Sequence, residues 1–156
     1  MTATQVAPAE RNRTPGVGRI SRVIGSVVDV EFPADRVPEI HNALTVEMEA
    51  GDESRTITLE VELQVGDNTV RCISLKPTDG LQRGAEVTDT GAPINVPVGE
   101  VTKGHVWNVT GEVLNDDPTS LTITERWPIH RDPPAFDELQ PETKMLETGI
   151  KVLDLL

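Results

Sequence analysis

From residue 19 to about residue 90 the chain alternates apolar and polar side chains with a period of two, the pattern of strands with one dry and one wet face. Residues 19–24 and 27–32 flank Gly25-Ser26; in the second stretch Val28, Val30 and Phe32 point one way, Asp29 and Glu31 the other. Gly25 reads as a bulge or a sharp bend. Pro33 and Pro38 hold a loop open before residues 43–48, where Leu44, Val46 and Met48 alternate with Thr45 and Glu47, and Gly51-Asp52 marks the next reversal. Residues 55–65 carry the cleanest alternation, with Ile57, Leu59, Val61, Leu63 and Val65 on one side and Thr56, Thr58, Glu60, Glu62 and Gln64 on the other. Gly66-Asp67-Asn68 tolerates positive φ and predicts a hairpin turn into residues 69–75. A sixth strand, 85–90, follows the loop 76–84. Six short strands with one apolar face and no helix between them predict a mainly β fold, a six-stranded closed β-barrel, because closure removes exposed edges. The outward glutamates read as a solvated surface.

Outside this stretch the pattern is lost. Residues 1–18 are Thr, Ala, Pro, Asn, Arg and Gly without apolar periodicity, and predict a disordered tail. After Gly91, seven of the twelve prolines fall between Pro93 and Pro141, which limits regular structure. A short helix or strand over 102–109, a short strand over 121–124 and an extended connector at Pro133-Pro134-Ala135-Phe136 are expected. Trp107, Trp127, Phe136 and Met145 are too thinly spread to close a core and are expected to pack on something outside this region. The sequence stops on Ile150-Lys151-Val152-Leu153-Asp154-Leu155-Leu156. A helix there would run about 10 Å and be apolar around most of its circumference, so it is expected to be an interrupted element of a larger core.

Composition narrows the classes. Fourteen Lys and Arg face twenty-six Asp and Glu, a formal charge of −12, which argues against an electrostatic grip on nucleic acid or anionic lipid. No apolar run reaches the length of a membrane span, and the first residues lack the apolar core of a secretory signal; the chain is expected to be intracellular or peripheral. Asn12-Arg13-Thr14 and Asn108-Val109-Thr110 fit the glycosylation sequon, which a chain without a secretory route would not use. Cys72 is the only cysteine, so there is no internal disulfide, and its Val70-Arg71-Cys72-Ile73 context reads as a buried strand thiol. His41, His105 and His130 are too scattered for ligand spacing, and no metal is expected.

Catalytic motifs are missing. Gly99-Glu100-Val101-Thr102-Lys103-Gly104 has the glycine spacing of a phosphate loop, but His105-Val106 stands where lysine and a hydroxyl residue are needed. Neither a dinucleotide fingerprint nor a nucleophile elbow occurs. Asp116, Asp117 and Asp132 would serve acid–base chemistry only in a cleft, and Asn115-Asp116-Asp117-Pro118 reads as turn chemistry. No residue is assigned a catalytic, cofactor-binding or metal-ligating role.

Longer strings carry a resemblance. Val23-Ile24-Gly25-Ser26-Val27-Val28-Asp29-Val30-Glu31-Phe32, Gly66-Asp67-Asn68-Thr69-Val70-Arg71, Thr78-Asp79-Gly80-Leu81-Gln82-Arg83-Gly84 and Asp89-Thr90-Gly91-Ala92-Pro93-Ile94-Asn95-Val96-Pro97-Val98-Gly99, followed by Ile129-His130-Arg131 and residues 146–156, read in order, resemble the amino-terminal part of the F-type ATP synthase β subunit. Ser26 replaces the family's usual proline, and 107–127 match loosely. The resemblance implies a barrel domain at 19–91 and, at 92–156, the truncated start of an α/β nucleotide-binding domain. It implies a catalytic head of alternating α and β subunits, peripheral on the inner, cytoplasmic face of a bacterial-type cell membrane and joined to other synthase subunits, whose full β chain makes ATP from ADP and phosphate using a proton gradient. In that family the Walker A loop lies a short way beyond the position of Leu156, with the Walker B aspartate, catalytic glutamate and adenine-contacting aromatics further on. MgATP and MgADP therefore belong to the full subunit; this chain carries no cofactor residues, inserts in no membrane and is expected to be an inactive assembly barrel. The alternative is a free-standing β-barrel binding or interaction module that never had an ATPase part.

Overall fold

The computed structural model of the chain describes residues 16–50, 53–139, 142 and 144–155. Six antiparallel strands, β1 (Val17–Ile24), β2 (Val27–Glu31), β3 (Asn42–Ala50), β4 (Glu53–Gly66), β5 (Thr69–Ser74) and β6 (Glu86–Pro93), close into a barrel in the order β1-β2-β5-β4-β3-β6. The fold class expected from the alternation is the one observed. β1 begins at Val17, inside the stretch expected to be a tail, because Val17 and Gly18 pair with Thr88 and Val87 of β6 and complete the closure. The expected disorder of residues 1–15 and the reversal at Gly51-Asp52 lie outside the described residues.

Turn chemistry sets the register. Gly25, at φ 57°, sits in a two-residue turn between Ile24 and Val27, so it is the sharp bend of the two readings. Asp67 and Asn68, at φ 48° and 59°, take the two positive-φ positions of the β4–β5 turn, the backbone twist that suits a two-residue hairpin. Inside the barrel, Val28, Val30, Leu44, Val46, Ile57, Leu59, Val61, Val70 and Val87 are fully buried, with Ile20 and Phe32 nearly so. One end is polar: Asp89 accepts from Asn42 Nδ2 at 3.1 Å and from the Gly91 N–H at 2.9 Å. Both side chains lie in buried residues, and these bonds offset their desolvation.

The alternation of β4 does not hold to its end. Val61 pairs with Cys72, but the next partners are Leu63 and Arg71, so Glu62 is an extra residue in the ladder. A bulge of this kind turns the following side chains over. Leu63 therefore shares the outer face with Arg71, and Leu63 and Val65 are each 51% exposed instead of joining Ile57, Leu59 and Val61 inside.

After the barrel the structure thins. Strands β7 (Asn95–Pro97) and β8 (Arg126–Pro128) form a two-stranded ribbon with Val96 opposite Trp127. Where a helix or strand was expected over 102–109 there is a 3-10 turn at Glu100–Thr102 and an isolated bridge between Trp107 and Val113. The strand expected at 121–124 forms instead at Arg126–Pro128, whose backbone meets the edge offered by β7. The terminal helix shrinks to α1 (Lys151–Asp154), held by Asp154 turning back onto the Thr148 hydroxyl and the Thr148 and Gly149 N–H groups. Its Val152 and Leu153 are exposed, as are Phe136 and Met145, so among the described residues nothing covers these apolar side chains.

Candidate functional site

Three polar arrangements stand on the barrel and the ribbon. The first lies on the outer face of β2 and β5. Asp29 and Arg71 are directly opposite in the ladder, and the guanidinium grips the carboxylate in fork geometry, Nε to Oδ1 at 2.8 Å and Nη2 to Oδ2 at 3.0 Å. Arg71's hydrogen bonds hold the Asp29 carboxyl below its ordinary range, against the opposing effect of burial, with the charges of Arg71 and Arg22 adding. The pair braces two strands.

Beneath Arg71's strand, on the inner face, is Cys72. Burial pushes its thiol up to about 12, with the charges of Asp29 and Glu62 adding, so thiolate chemistry is suppressed there. The buried strand thiol read from the sequence is what the fold contains.

The second arrangement is the loop that mimicked a phosphate site. Gly99 is followed by a single 3-10 turn, and Lys103 Nζ is drawn onto the Glu100 carboxylate at 2.7 and 2.8 Å. An anion cradle needs several backbone N–H groups aimed at one point and a free cation; here the cation is engaged in its own turn. Asp116 and Asp117 are turn residues as read: Asp117 caps Pro118–Ser120 by accepting from the Thr119 N–H at 2.9 Å.

The third arrangement was hidden from sequence reading. Glu60 points out of β4, yet its residue is only 8% exposed, because His130 lies over it with Nε2 2.5 Å from Oε1. The expectation of a solvated outer glutamate fails here, since a segment 70 residues away covers it. His41 stacks on His130 with ring centroids 4.0 Å apart and planes inclined by 23°. Four local contacts assemble the group. Ala43 pairs with Glu60 across β3–β4, and Asn42 pairs with Pro93 across β3–β6. The Ile129 N–H then bonds the Ile94 carbonyl at 2.9 Å, and the His41 N–H bonds the Val61 carbonyl at 2.7 Å. Beside the stacked rings is a shallow depression of 380 Å³ lined by His41, Ile129, His130, Arg131 and Asp132. The Arg131 guanidinium is turned over the Trp127 ring, 3.8 Å from its centroid. His41 and His130, expected to be scattered, are thus neighbours; His105 is the one that stays apart, with Nδ1 3.7 Å from Asp116.

Comparison with known families gives one match: residues 20–91 fit the model described as ATP synthase alpha/beta family, beta-barrel domain. The matched span covers the closed barrel from β1 to the end region of β6. It does not separate α from β subunits, and residues 92–156 lie outside it.

Proposed function

We propose that the chain is the amino-terminal, non-catalytic part of an ATP synthase β subunit, and that its barrel serves in assembly. The observation that carries this is the closed six-stranded barrel, whose residues 20–91 match the barrel domain of the ATP synthase alpha/beta family. The choice of β over α rests on the collinear strings quoted above, two of which, residues 129–131 and 146–156, lie wholly beyond the matched span.

An assembly role needs a surface. Ile24, Val27 and Ile73 lie in one cross-strand row on the outside of β1, β2 and β5, and Leu63 and Val65 extend the apolar ground across the bulge of β4. Of these, Ile24, Leu63, Val65 and Ile73 are exposed. In our reading the barrel packs sideways against the barrel of an α subunit in an alternating crown and anchors the catalytic domains, while MgATP and MgADP bind in the remainder of the subunit. The complex sits peripherally on the inner face of the cell membrane and draws on a proton gradient. Among the described residues no helix is long and apolar enough to cross a membrane.

The test is co-purification of the chain with an α subunit of the same synthase, read by size-exclusion chromatography and light scattering. A mixed complex is expected, and Leu63→Glu should abolish it while leaving the far-UV circular dichroism unchanged. A chain that stays alone in the mixture, or that binds ATP with micromolar affinity by itself, overturns the proposal.

A further inference from the structure

We infer that His41, Glu60 and His130 form a binding site for one transition-metal dication of the zinc class, fastening the segment after β8 to the wall of the barrel. One donor atom from each residue lies within 4.8 Å of the others. Two imidazoles and a carboxylate are the donor set of many zinc sites, with water or a further oxygen completing a tetrahedron. Imidazole donors favour zinc, copper and nickel over magnesium and calcium, which prefer all-oxygen shells.

Burial and backbone both favour this reading. Glu60 is buried and has His130 as its side-chain partner, while both histidines are exposed at the mouth. A carboxylate sunk beneath two imidazoles that open to solvent gives an ion a path in and a charge to meet. His41 has φ 72°, a left-handed conformation that costs a side-chain-bearing residue energy and persists where its surroundings hold it. Here the His41 N–H is tied to the Val61 carbonyl at 2.7 Å, and the ring is carried over His130.

The rearrangement required is small. Two donors on a tetrahedral zinc with bonds of about 2.0–2.1 Å stand about 3.3 Å apart, so the 2.5 Å contact between His130 and Glu60 must open by under an ångström. The His41 ring must turn out of its stack, and it is exposed and able to do so.

The experiment uses the full chain, free of any polyhistidine tag and stripped with a chelator. Zn2+ is titrated calorimetrically, with Co2+ as a spectroscopic substitute whose visible absorption reports a tetrahedral nitrogen and oxygen shell. One equivalent should bind and raise the melting temperature. His41→Gln, His130→Gln and Glu60→Gln should each weaken binding by at least about tenfold, since even loss of an outer-sphere partner costs that much. His105→Gln should leave binding unchanged. His41 lies at the surface, so its substitution tests the site even where Glu60→Gln disturbs the fold. Absence of a saturable equivalent in the parent chain, or undiminished binding in both His41→Gln and His130→Gln, overturns the inference. The assembly role is read separately, by co-purification with an α subunit and the Leu63→Glu variant, so its failure is distinguishable from failure of the metal site even though Ile73 pairs with Glu60 across β4–β5.

Discussion

Leu59 and Leu63 stand four positions apart on one strand, in phase by the period-two pattern, and replacing each with alanine should have very different consequences. Leu59 is fully buried in the barrel, whereas Leu63 lies past the extra residue in the ladder and is 51% exposed. Removing the equivalent of three methylenes from Leu59 costs about 2.4 kcal/mol by transfer alone, and the cavity left behind brings the expected loss to roughly 3–4 kcal/mol, within the usual range for such truncations. At Leu63 no cavity forms and half the side chain is already in water, so the expected cost is under about 1 kcal/mol. A barrel spanning Val17 to Pro93 has a total stability on the order of 4–12 kcal/mol. The first substitution therefore removes a large share of it, and the second very little. The gap of about 2–3 kcal/mol corresponds to roughly 8–24 °C in melting temperature for a domain of this size.

Urea unfolding followed by far-UV circular dichroism measures both variants. Trp107 and Trp127 lie outside the barrel strands, so tryptophan fluorescence is the wrong probe. Cys72 is the right second one. It is the sole thiol, sealed in the core and held as thiol by a pKa pushed up to about 12, so a disulfide reagent reaches it through opening of the barrel. Where reclosing outpaces labelling, the rate follows the open population, and Leu59→Ala should label on the order of a hundredfold faster than the parent. Leu63→Ala should stay within about fivefold. Equal destabilisation of the two variants would refute the bulge, because it would mean that the alternation runs unbroken to Val65.

Two further outcomes follow from the barrel wall. Asp29 is held below its ordinary pKa in the folded chain chiefly by the Arg71 hydrogen bonds, so its contribution is present above the unfolded value of about 3.9 and is lost as pH falls through the folded value; the stability difference between parent and Asp29→Asn should be flat from neutral pH to about pH 5 and shrink below about pH 4, as urea midpoints across that range will show. Gly18→Ala should destabilise by about 1–3 kcal/mol, because the new methyl would stand 2.7 Å from the Glu31 carbonyl oxygen and 2.9 Å from two ring carbons of Phe32; a thermal melt matching the parent would refute this, showing that both the Glu31 backbone and the Phe32 ring give way without cost.

The barrel was legible because its information is local. Val28, Val30, Leu44, Val46, Ile57 and Val87 declare their face by alternation, and Gly66-Asp67-Asn68 declares a turn. What alternation cannot carry is an added residue in the ladder, which leaves the sequence looking periodic while inverting the sides, as happens after Val61. The histidine cluster was illegible for a different reason. His41 and His130 come from loops 89 positions apart by their numbers, and their meeting depends on the Asn42 to Pro93 pairing and the bond between Ile94 and Ile129, neither of which has a periodic signature. Glu60 looked solvated because its own strand places it outside; only the covering segment makes it buried. Beyond β8 the prolines permit little regular backbone, and the helix expected at 150–156 shortens to Lys151–Asp154 without a neighbouring surface to complete its burial.

These differences place the mechanical weak point of the chain. The barrel is closed by backbone ladders on every strand and by a continuous apolar interior. Residues 95–130 meet it through the backbone bond at Ile94, the Lys76 to Glu112 ion pair at 3.7 Å and the Glu60–His130–His41 stack, with only Ile94, Pro97 and Val113 buried among the apolar side chains of 94–130. Exposed ion pairs contribute little, and single hydrogen bonds contribute about 1 kcal/mol net, so this joint opens at a far lower free energy than the barrel does. The proposed assembly role would use this arrangement, a stiff body joined to the rest of the chain by a weaker polar link. An ion bound among His41, Glu60 and His130 would stiffen that joint without touching the barrel core. Added Zn2+ should therefore slow proteolysis of the segment after Pro93, and because Glu60 belongs to β4 it should also slow Cys72 labelling in proportion to the rise in melting temperature.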